Sequence, residues 1–178
     1  SSTPGSRRTS DPPMGERYLI ALGSNQRHAR HGAPERVLSA ALAALEGKGI
    51  RVLRAGPVIR SAPIGPSLRR YANSAAVVET NLLPDALLIV LKRIERAFGR
   101  TRGGQRWGTR VLDLDIVLWG GGAWSSPGLT VPHLAFRTRD FVLAPALVVA
   151  ADWRDPLDGL TVRQLLHRLR RANPLAPA

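Results

Sequence analysis

The chain contains no cysteine, so a disulfide framework and a thiolate metal site are both excluded. That suits a reducing compartment, and cytoplasmic action is the expectation. Aromatic residues make up only 5%. That is few for an RNA-reading sheet, which stacks bases on exposed rings, and no ribonucleoprotein signature occurs in the candidate strands. Lysine is nearly missing: Lys48 and Lys92 are the only two, so arginine carries the net charge of +13. Such a balance admits nucleic acid, an acidic membrane surface or a polyanionic small molecule as partner. Apolar runs of the roughly 18 residues needed for a membrane span are lacking. The start of the sequence has no signal-peptide apolar region. No internal repeat with a period of roughly 20 to 50 residues is visible.

What is present is enough for one compact domain: 178 residues, 44% of them hydrophobic. Residues 1–16 are rich in Ser, Pro, Gly and Arg without periodicity and read as a disordered tail. The domain is expected over residues 17–172, with a short C-terminal tail at 173–178. Tyr18 to Gly23 reads as a buried strand. A helix follows from Pro34, with Val37, Leu38, Ala41, Leu42 and Leu45 on one face and Gly47 at its end. Ile50 to Arg54 and Val58 to Ser61 read as an edge strand interrupted at Gly56-Pro57 by a bulge, and Tyr71 to Glu79 as the next strand. Pro84 and Asp85 open a second helix whose stripe is Leu87, Leu88, Leu91, Ile94 and Phe98. Val111 to Trp119 reads as the fourth strand. The order βαββαβ predicts an α+β fold with a ferredoxin-like core, a mainly antiparallel sheet and both helices on one face. The remainder, a helical stretch from Arg137 to Ala151 and a helix opened by a Thr161-x-x-Gln164 capping box, is free to cover the other face.

The chemistry concentrates between Arg100 and Trp119. Asp113 and Asp115 stand i and i+2 in a strand, so they share a face, with Cα atoms about 6.5 Å apart. Two such carboxylates repel unless a cation lies between them, and a hard divalent ion takes oxygen ligands. Just before them Arg100, Arg102, Arg106 and Arg110 alternate with Gly99, Gly103, Gly104 and Gly108. Guanidinium groups on a glycine-rich loop beside a metal-holding pair describe a polyphosphate site.

These stretches together resemble the 6-hydroxymethyl-7,8-dihydropterin pyrophosphokinases of folate biosynthesis. The likeness is carried by Leu22-Gly23-Ser24-Asn25, the run Ser61 to Pro66, Tyr71-Ala72-Asn73, Arg93-Ile94-Glu95, the run Gly99 to Arg102, Arg106 to Asp115, Val131-Pro132-His133 and Arg139-Asp140-Phe141. It spans all but the tails. The resemblance implies that the ferredoxin-like core is elaborated to a three-layer α-β-α sandwich. It implies transfer of the β,γ-diphosphate of ATP to the hydroxymethyl group of the pterin, with release of AMP, and two Mg²⁺ held by Asp113 and Asp115. Arg100 and Arg110 are implied to grip the triphosphate, and Arg102 and Trp107 to belong to a loop closing over the site. Lys92, Glu95, Thr130, His133 and Arg139 are implied on the nucleotide side. Ser61, Ile64, Tyr71, Asn73, Trp107 and Phe141 are implied around the pterin, with Tyr71 and Phe141 stacking and Asn73 on the donor-acceptor edge. A monomer acting on ATP and the pterin, without nucleic-acid or membrane partners, is the expectation.

Four positions depart from the family pattern: Thr109, where several relatives carry Pro; Gly128, often basic; Leu134, commonly aromatic; and Asp140, commonly small. They bear on nucleotide affinity. A nucleic-acid module, a nucleotidyltransferase using the same aspartates, and a structural partner domain are the competing readings. The first two differ from the pyrophosphokinase in product: none for the binder, diphosphate instead of AMP for the nucleotidyltransferase.

Overall fold

The computed structural model describes residues 15–25, 30–61, 71–99 and 111–174. Strand β1 (Glu16–Ser24) leads to helix α1 (Pro34–Gly47), then to strands β2 (Arg51–Ala55), β3 (Ile59–Ser61) and β4 (Tyr71–Thr80). Helix α2 (Pro84–Gly99) and strand β5 (Asp113–Trp119) complete the βαββαβ unit. A hairpin of β6 (Trp124–Ser126) and β7 (Leu129–Val131), a 3₁₀ turn (Phe136–Thr138) and helices α3 (Asp140–Ala150) and α4 (Val162–Ala172) follow. The main sheet runs β2-β4-β1-β5, with β3 also on β4, and every neighbouring pair is antiparallel. This is the ferredoxin-like arrangement expected from the sequence.

Two apolar layers enclose the sheet. On one side Tyr18, Ile20, Leu22, Ala76, Leu114 and Ile116 pack against Val37, Leu38 and Leu45 of α1 and Leu87, Leu91 and Ile94 of α2. On the other, Leu19, Ala75, Val77 and Val117 pack against Phe136, Leu143, Ala146 and Val149, and against Leu165 and Leu166 of α4. Both sides of a central strand being covered explains why β4 reads as nearly continuous apolar sequence from Ala75 to Val78. The result is the α-β-α sandwich.

Local signals place the helices. Pro34 opens α1, where a missing N–H costs nothing. Beyond Lys48, Gly49 adopts φ +76, the left-handed conformation that turns the chain into β2. Thr161 closes a complete capping box on α4: its hydroxyl accepts the Gln164 N–H at 3.1 Å and the Gln164 side chain accepts the Thr161 N–H at 2.9 Å. Thr161→Ala is therefore expected to cost about 1 kcal/mol. A fall of about 2–4 °C in a thermal melt would register it.

The structure differs from the sequence reading in places. β5 starts at Asp113 instead of Val111, although Val111 and Leu112 are buried. Residues 56–58 interrupt the edge strand at the expected Gly56-Pro57, but the register shift lies earlier, between Val52 and Arg54. The break stays on the sheet because the Gly56 N–H donates to the Ala75 carbonyl at 2.8 Å and the Ser74 hydroxyl donates to the Gly56 carbonyl at 3.0 Å. The expected helix from Arg137 divides into the 3₁₀ turn and α3, because Arg139 between them is extended at φ −111, ψ 100. Pro145 is held inside α3 by burial against the sheet layer. The β6–β7 hairpin was not legible from periodicity, since strands of three residues are too short to show alternation.

Trp119 and Trp124 meet edge to face, ring centroids 5.5 Å apart. The Trp119 indole N–H donates to Glu16 at 2.8 Å, and that of Trp124 to Asp85 at 3.3 Å. These packing roles anchor the hairpin beside β5.

Candidate active site

β-Pairing assembles the site. Asn73 of β4 lies opposite Gly23 of β1, and Gly23 lies opposite Asp113 of β5. Directly paired residues share a face, so Asn73, Gly23 and Asp113 form one row across three strands. In the next row Ala75, Ala21 and Asp115 are aligned in the same way. The Cα atoms of Asn73 and Asp113 are thus about 10 Å apart, two strand spacings. Between them is a floor of glycine and alanine. A Cβ on Gly23 would come 3.2 Å from Asn73 Oδ1, a tight approach, and 3.9 Å from Asp113 Cβ, an ordinary contact, so a side chain there would press on Asn73. Tyr71, two residues before Asn73, shares its face and is 41% exposed. Ser61 pairs with Tyr71 through the backbone.

Asp113 and Asp115 are half-buried on the α3 face, while Leu114 and Ile116 point to the α1–α2 layer. Among the described residues no group of three or more His, Asp or Glu side chains gathers in a metal-binding arrangement. A two-carboxylate set still suits Mg²⁺, which keeps several waters and takes substrate phosphates as its remaining ligands. It does not suit Zn²⁺, which calls for three or four protein ligands.

Of the residues expected on the nucleotide side, His133 is docked against β5. The His133 N–H donates to the Val117 carbonyl at 3.1 Å, which docks the segment after β7 against β5. His133 Nδ1 accepts the Ala135 N–H at 3.2 Å, so in the neutral ring Nε2 carries the proton and is the donor left for an anion. Thr130, in β7, is exposed. Arg139 immediately precedes α3, and its guanidinium lies over the Phe141 ring at 5.6 Å from the centroid. Phe141 is 45% exposed. Asp140, one of the departures, pairs with Arg170 of α4 at 2.8 Å, which ties the start of α3 to α4. Leu134, another, is 79% exposed. Lys92 and Glu95 form an i,i+3 ion pair at 3.1 Å on α2.

Ile64, Arg100, Arg102, Trp107, Arg110 and the side chain of Ser61 lie outside the described residues. The motif Leu22-Gly23-Ser24-Asn25 is legible in the sequence, but the place of Gly23 between Asn73 and Asp113 is not. The register that puts it between Asn73 and Asp113 leaves no trace in local sequence.

Comparison with solved structures defines the fold class first. HPPK-DHPS of Plasmodium falciparum aligns with a TM-score of 0.69 over 93% of this chain and 47% of that one, at 13% identity. A second structure of the same protein, with pteroate, aligns with a TM-score of 0.70 at 12% identity. The sequence then gives the family. The model for 7,8-dihydro-6-hydroxymethylpterin-pyrophosphokinase (HPPK) matches residues 19–151. A 2-amino-4-hydroxy-6-hydroxymethyldihydropteridine pyrophosphokinase of Pseudomonas aeruginosa is 41% identical over 155 residues, covering 86% of this chain and 91% of that protein. One of Haemophilus influenzae is 37% identical, covering 87% and 97%. One of Synechocystis is 39% identical over 121 residues, 68% of this chain but only 62% of that protein. The chain belongs to the 7,8-dihydro-6-hydroxymethylpterin-pyrophosphokinase family.

Proposed function

We propose that this chain transfers the β,γ-diphosphate of ATP to the hydroxymethyl oxygen of 6-hydroxymethyl-7,8-dihydropterin and releases AMP, as a step of folate biosynthesis. ATP is the co-substrate. The observation that carries this reading is the row Asn73–Gly23–Asp113. It sets an amide able to donate and accept about 10 Å from a carboxylate pair, over a floor with no side chain between. A flat bicyclic alcohol held at Asn73 and stacked by Tyr71 or Phe141 spans that gap and presents its hydroxymethyl arm toward the aspartates.

Asp113 and Asp115 would hold Mg²⁺, two ions in this proposal. When bound, the metal neutralises phosphate charge and fixes the approach of the attacking oxygen. The chain's own residues do the rest. His133 offers an Nε2–H to a phosphate oxygen, and Arg139 a planar guanidinium. Arg100 and Arg110 are assigned to the triphosphate and Arg102 and Trp107 to closure. Ser61 and Ile64 are assigned to the pterin pocket and Thr130 to the nucleoside. These assignments rest on the family resemblance. The proposal includes a monomer acting in the cytoplasm, supported by the cysteine-free sequence; no helix among the described residues is long and apolar enough to cross a membrane.

Incubation with ATP, Mg²⁺ and the pterin alcohol tests the reading. AMP should appear in equal amount to pterin diphosphate ester. Release of inorganic diphosphate instead would identify a nucleotidyltransferase, and absence of any pterin-dependent ATP consumption would sink the proposal.

A further inference from the structure

Glu95 sits on α2, in the layer opposite to the one that Asp113 and Asp115 face. β5 is the end strand of the sheet, so its outer N–H groups have no strand partner. One of them belongs to Leu114, the residue between the two aspartates. Its N–H donates to Glu95 Oε1 at 2.8 Å. Lys92 Nζ lies 3.1 Å from the other Glu95 oxygen and 3.4 Å from Oε1. The Glu95 side chain is only 13% exposed, against 41% for Lys92. A carboxylate accepting a backbone N–H makes a charge-assisted bond, roughly twice as strong as a neutral one. Without it, the Leu114 N–H at the start of an edge strand would have no strand to pair with among the described residues and would turn to water.

We infer that Glu95 is a positioning residue for the metal-holding pair: by clamping the Leu114 amide it fixes the peptide that joins Asp113 to Asp115, and with it the spacing and direction of both carboxylates. Lys92 orients Glu95 by occupying its second oxygen. Glu95 thereby acts on the metal-holding pair from behind the sheet, through the Leu114 amide. The inference rests on the proposed reading of Asp113 and Asp115 as the metal holders.

Two variants separate the acceptor from the charge. Glu95→Gln keeps an oxygen that can accept the Leu114 N–H and loses the charge. Glu95→Asp keeps the charge and is one methylene too short to reach. Mn²⁺ binding, followed by the loss of its free-ion magnetic resonance signal in the presence of α,β-methylene ATP, is the readout, with Asp115→Asn as reference. Outer partners of metal ligands typically contribute 10- to 100-fold in metal affinity. Glu95→Asp and Glu95→Ala should therefore weaken Mn²⁺ by about tenfold or more, and Glu95→Gln should stay within about threefold of the parent. Affinity for the metal-free analogue should not move in any of the three. If Glu95→Gln is as poor as Glu95→Asp, or the metal-free analogue binds less well, Glu95 acts through charge on the nucleotide and the inference falls. If the three variants lower only the melting temperature and leave Mn²⁺ binding intact, it falls as well. If Asp115→Asn itself binds Mn²⁺ normally, the site reading fails first and separately.

Discussion

Asp113→Ala and Asp115→Ala should each lower turnover at saturating ATP and pterin by roughly 10³-fold or more. The two carboxylates are the only acidic side chains on the site face of β5, and substrate phosphates cannot supply the protein ligands that are lost. A catalytic metal contributes several kcal/mol to a charged transition state, and each 1.36 kcal/mol is tenfold in rate. Stability should change little in Asp115→Ala, because that side chain is half-exposed. The paired measurement is AMP release across a Mg²⁺ titration together with a thermal melt of each variant. Full activity in either variant, at any Mg²⁺ concentration, would remove the carboxylate pair from the mechanism.

The largest effect on stability is expected at Asp155, far from β5 in sequence. It is fully buried, accepts the Leu157 N–H at 2.9 Å and accepts a short hydrogen bond from Arg137 Nε. Arg137 lies in the 3₁₀ turn, over the ring of Phe136 at 4.8 Å, and its Nη2 finds no acceptor among the described residues. Asp155→Ala strands that guanidinium, and breaking a buried pair from one side costs about 3–5 kcal/mol. In a domain of this size that is a fall of roughly 6–20 °C in melting temperature. Burial alone would push the Asp155 carboxyl up. The Arg137 hydrogen bond, the Leu157 N–H and the Arg137 charge outweigh it and hold the carboxyl below the usual carboxylate range. A carboxyl depressed on folding contributes stability that is complete above its unfolded pKa, about 4, and is lost as pH falls through the lower folded value. Urea melts between neutral pH and pH 3 should therefore show a difference between parent and Asp155→Ala that is constant down to about pH 4 and narrows below it. A difference that widens on acidification would contradict the pairing.

The fold was legible where the sequence carries period and punctuation. Pro34 and Pro84 with Asp85 mark helix starts, Thr161 with Gln164 marks a third, and the stripes Leu87–Leu91–Ile94 and Val37–Leu38–Ala41 define buried faces. The shared face of Asp113 and Asp115 followed from their spacing alone. Most of what escaped comes from pairing between distant segments. The spacing of Gly23 from Asn73 and Asp113 is set by strand register, and register depends on the whole buried face of each strand. The Glu95–Leu114 bond escaped likewise. Lys92 and Glu95 are visible as an i,i+3 pair on a helix, but nothing local shows that the helix end reaches over a sheet edge. The β6–β7 hairpin escaped for a different reason, the brevity of its strands, whereas the break at 56–58 was announced by Gly56-Pro57.

The glycine between Asn73 and Asp113 belongs to a strand whose neighbours lie about 50 positions later on one side and about 90 on the other. No hairpin or single helix holds any two of these three positions together, so a partly opened molecule has no remnant of the reaction cleft. Exchange of the β1 amides with deuterated solvent should then be limited by complete unfolding. The catalyst would exist only in the intact molecule, and losses of global stability at sites as remote as α4 would appear in the cell as fewer competent copies, each one working at the ordinary rate.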